Sequence, residues 1–63
     1  MTSKTFASEE EREMVRALRA RAETDDRVTE WEQEFLESLA TYTLWSDRQR
    51  DVLIGIWTKV MEA

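Results

Sequence analysis

Three short strings of one kind divide this chain: Ser8-Glu9-Glu10-Glu11, Thr29-Glu30-Trp31-Glu32 and Ser46-Asp47-Arg48-Gln49. In each, a hydroxyl side chain is placed to accept from the backbone N–H three residues later. The Glu or Gln at that later position can reach back to the first N–H. The exchange satisfies donors that the start of a helix otherwise leaves open. One such string is weak, because its residue types are common. Three, each leading into apolar residues at helical spacing, predict three helices. Nothing interrupts them, since the chain has no proline and a single glycine, Gly55. Its abundant Glu, Arg, Ala and Leu are good helix formers. The expected fold is all-α, a compact three-helix bundle with helices over about 9–23, 30–41 and 47–61. At 63 residues it is a single domain, 1–63, with residues 1–7 expected to be flexible ahead of the first cap.

The first helix opens with Glu9, Glu10, Glu11 and Glu13 and closes with Arg16, Arg19 and Arg21, an order that complements the helix dipole. Its apolar stripe of Met14, Ala17 and Leu18, with Val15 and Ala22 beside it, is narrow, so this helix packs from one side. Thr24-Asp25-Asp26-Arg27 reads as a polar connection. The second helix puts Trp31, Phe35 and Leu39 on one side, with Leu36 flanking, and Glu30, Glu34 and Glu37 on the other. The third carries Val52, Leu53, Ile56, Trp57, Val60 and Met61, and Ile54 widens this apolar arc beyond what a surface helix needs. It is therefore expected to lie centrally or to keep part of its surface for a partner. The predicted core is Trp31, Phe35, Leu36, Leu39, Val52, Leu53, Ile56, Trp57 and Val60 with Leu18 and Met14. Trp45, immediately ahead of the Ser46 cap in a turn, is expected at the surface.

Composition narrows the function classes. The chain lacks both cysteine and histidine, which removes thiolate zinc sites, disulfides and the usual proton shuttle at neutral pH. Paired carboxylates need a cleft to raise one pKa, and a domain of this size has little volume for one. No enzyme activity, cofactor or metal is expected. A net charge of −5 disfavours direct attachment to nucleic acid or to an anionic membrane, both of which reward clustered Lys and Arg. The first residues lack the apolar core of a secretory signal, and the longest mostly apolar stretch, Val52 to Trp57, is too short for a bilayer. A cytoplasmic location is expected.

Two surfaces are candidates for binding. Glu30, Glu34 and Glu37, at i, i+4 and i+7, form a ridge of like charge, and Glu23, Asp25 and Asp26 lie nearby in sequence. Such a row can be an ordinary solvated face, can pair with Arg48 or Arg50, or can engage a groove lined by Arg and Lys. The second surface is apolar: Trp45, Ile54, Trp57 and Met61 are candidate contacts for a partner or for a homodimer through the third helix. The same residues can instead pack against the thin stripe of the first helix. Arg48, Gln49 and Arg50 open the third helix with residue types that read base edges, which admits a small helix-turn-helix regulator. The flanking Asp47 and Asp51 and the acidic balance weigh against it.

Trp31-Glu32-Gln33-Glu34-Phe35, followed by Ser46, Gln49, Val52 and Leu53, gives W-E-x-x-F and then S-x-x-Q-x-x-V-L. This pattern resembles a helical pair of phage and bacterial proteins of DNA metabolism. It covers about half of the chain, and its letters are mainly caps and core, so it implies two packed helices more than any activity. In size, charge and helicity the chain also resembles small phage-encoded inhibitors of host defence of the anti-CRISPR type, without a diagnostic motif. The net charge and the acidic ridge lead to the expectation of a non-enzymatic binding protein that blocks a basic nucleic-acid-binding surface of a host protein complex as a DNA mimic, and the resemblance implies that it is phage-encoded and acts in the host cytoplasm. The alternative is an accessory protein-interaction module of a replication or recombination assembly.

Overall fold

A computed structural model describes residues 3–62. In chain order they form strand β1 (Lys4–Phe6), helix α1 (Glu9–Ala22), helix α2 (Glu30–Thr41), strand β2 (Leu44–Ser46) and helix α3 (Asp47–Trp57). A wider, π-helical turn over Thr58–Glu62 continues α3. All three capping boxes close in both directions. The Glu11 N–H donates to Ser8 Oγ at 3.1 Å while the Ser8 N–H donates to Glu11 Oε1 at 2.8 Å. Thr29 with Glu32, and Ser46 with Gln49, repeat the exchange. The three helix starts therefore stand where the sequence places them.

One expectation is refined. The chain is mostly helical with three helices in a compact globule, but it also contains a two-stranded sheet. Of the residues expected to be flexible, Met1 and Thr2 lie outside the described residues. Lys4, Thr5 and Phe6 form β1, which pairs antiparallel with β2 and sets Thr5 opposite Trp45 and Phe6 opposite Leu44. The ribbon continues one step further, the Ala7 N–H donating to the Thr43 carbonyl at 2.9 Å.

Extended backbone sends successive side chains to opposite faces. Trp45 consequently turns inward and is fully buried, whereas Leu44 and its neighbour Phe6 face solvent. The indole fills the centre of the core, which consists of Val15, Leu18, Val28, Leu36, Leu39, Trp45, Leu53, Ile56 and Val60. Its Nε1–H donates to the carbonyls of Tyr42 at 2.9 Å and Leu39 at 3.2 Å, the end of α2. Burial of the ring thus also satisfies carbonyls that the helix end leaves open. Trp31, expected in the core, is 60% exposed instead. Because Leu36 and Leu39 set the inward direction of α2, Trp31, five residues before Leu36, turns well away from it. Met14, Phe35, Val52, Trp57 and Met61 pack against the core while partly exposed.

The helices come closest where α1 lies on α2, so α3 is not the central element. Long polar contacts tie it in place. Arg50 on α3 donates to Glu11 at the start of α1, with Nε 2.6 Å from Oε2, and to the carbonyls of Trp45 at 2.8 Å and Phe6 at 3.0 Å. At the other end, Arg27 donates to the carbonyls of Lys59 at 3.2 Å and Val60 at 2.9 Å, and the Asp25 carboxylate accepts from the same guanidinium.

Candidate protein-binding face on the second helix

The acids of this chain fall into two groups. Glu11, Glu13, Asp25 and Glu32 have ion-pair partners within the chain, that of Glu13 being an exposed pair with Arg16 on the same helix. The Arg50 hydrogen bond holds the Glu11 carboxyl below its ordinary range against the opposing effect of burial, and the Ser8 cap adds to it. At Glu32, burial pushes upward, but the Lys59 ammonium at 2.5 Å and the Thr29 N–H outweigh it, so the net direction is again down. Asp25 is held well below the usual carboxylate range by the side-chain and backbone hydrogen bonds from Arg27. It was a candidate contact acid, yet its side chain is only 13% exposed and serves Arg27 and Arg21.

Glu30, Glu34 and Glu37 belong to the other group, with Glu9, Glu10, Glu23, Asp26, Asp47, Asp51 and Glu62. All ten are exposed, and among the described residues none has a cation within ion-pair distance. Arg50, one of the two candidate cations for the ridge, is committed to Glu11. Arg48 is exposed and has no carboxylate partner among the described residues. The three ridge carboxylates therefore stand on one side of α2 as a row of single sign, roughly one helical turn apart.

Beside the ridge runs an aromatic strip whose residues the sequence aligns but assigns to the core rather than to the surface. Trp31 and Phe35 stack with their ring centroids 5.4 Å apart and their planes within 9° of parallel. One face of the indole is thus covered by Phe35, and the exposure of Trp31 belongs to the rest of the ring. Tyr42, 59% exposed, lies at the far end of the helix. Against Tyr42 a shallow groove of about 260 Å³ is lined by Glu34, Glu37, Ser38, Thr41 and Tyr42. The available signal was the position of Leu36 and Leu39, which rotates the inward face away from Trp31.

The apolar candidates divide. Trp45 is internal and leaves the group. Ile54 is 54% exposed, and Trp57 and Met61 are partly covered by the core, so these three form an edge along α3 and its final turn. A larger groove of about 530 Å³ follows α1 over Trp45 and Leu39, between Arg12, Arg16 and Arg19. Its rim mixes those arginines with Glu9 and Glu13, so the charges largely cancel and no field of one sign results. The α2 face is the stronger candidate despite its smaller groove. Among the described residues no three carboxylates converge to hold a metal ion, and no helix is long and apolar enough to cross a membrane.

Comparison of the chain with family models, curated proteins and solved structures finds no match. Its functional reading rests on the faces described above.

Proposed function

We propose that this is a non-catalytic binding protein whose α2 face occupies a basic, nucleic-acid-binding surface of another protein or complex. The biological setting that suits this reading is a phage-encoded inhibitor acting in the host cytoplasm as a DNA mimic, as the anti-CRISPR-type resemblance implies. The observation that carries it is the contrast between the two groups of acids. The more buried acids Glu11, Asp25 and Glu32 have a cation within the chain, and among the exposed acids that have none Glu30, Glu34 and Glu37 form a row of three on one helix. A basic partner would provide those cations, and the association would be steered by charge and weakened by salt.

The test is a pull-down with tagged protein from nuclease-treated bacterial lysate, compared with a variant carrying Glu30→Lys, Glu34→Lys and Glu37→Lys. Capture of a nucleic-acid-handling complex that is lost in the variant and at high salt supports the proposal. Capture indifferent to both overturns it.

A second reading has its own observation. Ile54 is an exposed aliphatic residue in the middle of a helix, with Trp57 and Met61 continuing the edge. An accessory module of a replication or recombination assembly would dock there, and salt would affect it little. The helix-turn-helix reading loses support, because Gln49 is engaged by the Ser46 cap and Arg50 by Glu11 and three carbonyls.

A further inference from the structure

Inside the fold, one arginine is held by an indole and a carboxylate together. The guanidinium carbon of Arg50 lies over the Trp45 ring, 5.9 Å from its centroid, while its Nε donates to Glu11 Oε2 at 2.6 Å. A planar cation is well suited to this pairing, since it can lie flat on a π-face and still present in-plane donors to a carboxylate. The outer surface of α2 repeats two of the three parts. Trp31 offers an exposed indole, steadied from one side by its stack on Phe35. Glu34, three residues further along the helix, is its neighbour on the surface, is exposed, and has no ion-pair partner among the described residues.

We propose that the missing third part is a guanidinium from a protein partner: the α2 face recognises arginine, with the side chain lying on Trp31 and its N–H groups directed to Glu34. This rests on the reading of the acidic face given above and sharpens it, because a row of carboxylates alone would accept lysine equally well. The indole makes the difference. Lysine carries a compact, strongly hydrated charge without a plane to stack, whereas arginine is more weakly hydrated and stacks readily on aromatic faces. Trp31 is also pre-organised, so little side-chain freedom is lost on binding. Glu30 and Glu37 extend the same row by one turn in each direction, which suits an arginine-bearing helix or strand of the partner more than a single exposed side chain.

The chain itself carries Arg12, Arg16 and Arg19 at the same i, i+4, i+7 step as the glutamate ridge, so a second copy is the competing occupant. Arg16 already pairs with Glu13, and Glu9 and Glu13 share that groove, which makes the α1 surface a poor complement. An external arginine-bearing segment is the occupant we assign.

The experiment uses two helical probe peptides, one with arginines at i, i+4 and i+7 and its lysine counterpart, titrated against the full chain at low and moderate salt. The arginine peptide should bind about threefold to fivefold more tightly than the lysine peptide. Trp31→Ala should erase that preference, Trp31→Phe should retain part of it, and circular dichroism should show both variants folded, since the ring is not in the core. Equal binding of the two peptides, still lost on reversal of Glu30, Glu34 and Glu37, would overturn arginine recognition while leaving the acidic-face reading standing. Binding of neither peptide at low salt would overturn both. Sedimentation of the free protein should give a monomer. A dimer dispersed by Arg12→Glu with Arg19→Glu would overturn the assignment by giving the face to a second copy.

Discussion

Glu11 and Arg50, 39 residues apart, are joined by a 2.6 Å hydrogen-bonded ion pair that fastens the start of α1 to the first turns of α3. Both side chains are largely shielded, at 25% and 18% exposure, so the contact escapes the screening that weakens surface pairs. The same guanidinium also holds the carbonyls of Phe6 and Trp45. Arg50→Met should therefore destabilise the chain by about 2–4 kcal/mol, since it strands Glu11 and two carbonyls at once. Thermal or urea unfolding of the variant checks this, and a loss below about 0.5 kcal/mol would contradict it.

The same pair sets a pH dependence. The folded-state pKa of Glu11 lies below its ordinary value of 4.5, chiefly through the Arg50 hydrogen bond. A depressed carboxyl contributes stability that is fully present above the unfolded value and disappears as pH falls through the folded value. Melting temperature should thus fall on acidification below about pH 4.5, and the Glu11 part of that fall should vanish in Glu11→Gln, which lowers stability at neutral pH instead.

The two tryptophans exchange the roles that their sequence positions imply. Trp45→Ala should cost about 3–5 kcal/mol, which approaches the whole stability of a chain of 63 residues, on the order of 3–9 kcal/mol. Trp45→Phe keeps much of the ring but leaves the Leu39 and Tyr42 carbonyls without their donor, at about 1–3 kcal/mol. Trp31→Ala should cost less than about 1 kcal/mol. Urea midpoints of the three variants check the order, and an equal effect of the two alanine substitutions would refute the placement of the rings.

Gly55 offers a gain. It lies in the interior of α3 with a negative φ, and a Cβ added there meets no atom within 4 Å. Gly55→Ala should raise stability by about 0.5–1 kcal/mol, because glycine gives up more backbone freedom than alanine in a helix. A lower midpoint would show that this stretch needs glycine for a reason other than space.

Arg27 closes the far end. Its guanidinium caps the carbonyls of Lys59 and Val60 while resting on Asp25. Arg27→Ala should leave α1 and α2 protected from hydrogen exchange and increase exchange across Thr58–Glu62, where the turn loses its only donors from outside α3 among the described residues. Unchanged protection in that turn would mean that burial of Val60 alone holds it.

The helices were legible because a capping box is local chemistry. Ser8, Thr29 and Ser46 each need only a Glu or Gln three residues on, and no distant residue can change that. The helix ends were less so. α3 gives way to its wider turn after Trp57, and the Arg27 contact that accompanies this comes from the α1–α2 connection. The ribbon was hidden for a similar reason. Lys4-Thr5-Phe6 and Leu44-Trp45-Ser46 are too short to show a two-residue alternation, and each is a strand only because the other pairs with it. Missing the ribbon also misplaced Trp45, whose inward direction follows from that pairing. The acidic row was visible in the spacing of Glu30, Glu34 and Glu37. Its lack of internal partners was not, because it depends on Arg50 having found Glu11.

The pairing of Thr5 with Trp45 ties completion of the fold to the order of synthesis. β1 leaves the ribosome well before β2, with both α1 and α2 translated in between. Until the later strand emerges, α1 and α2 can lie on each other but lack the indole that fills the core beside them. The core is therefore completed only when β2 is available to bring Trp45 into it.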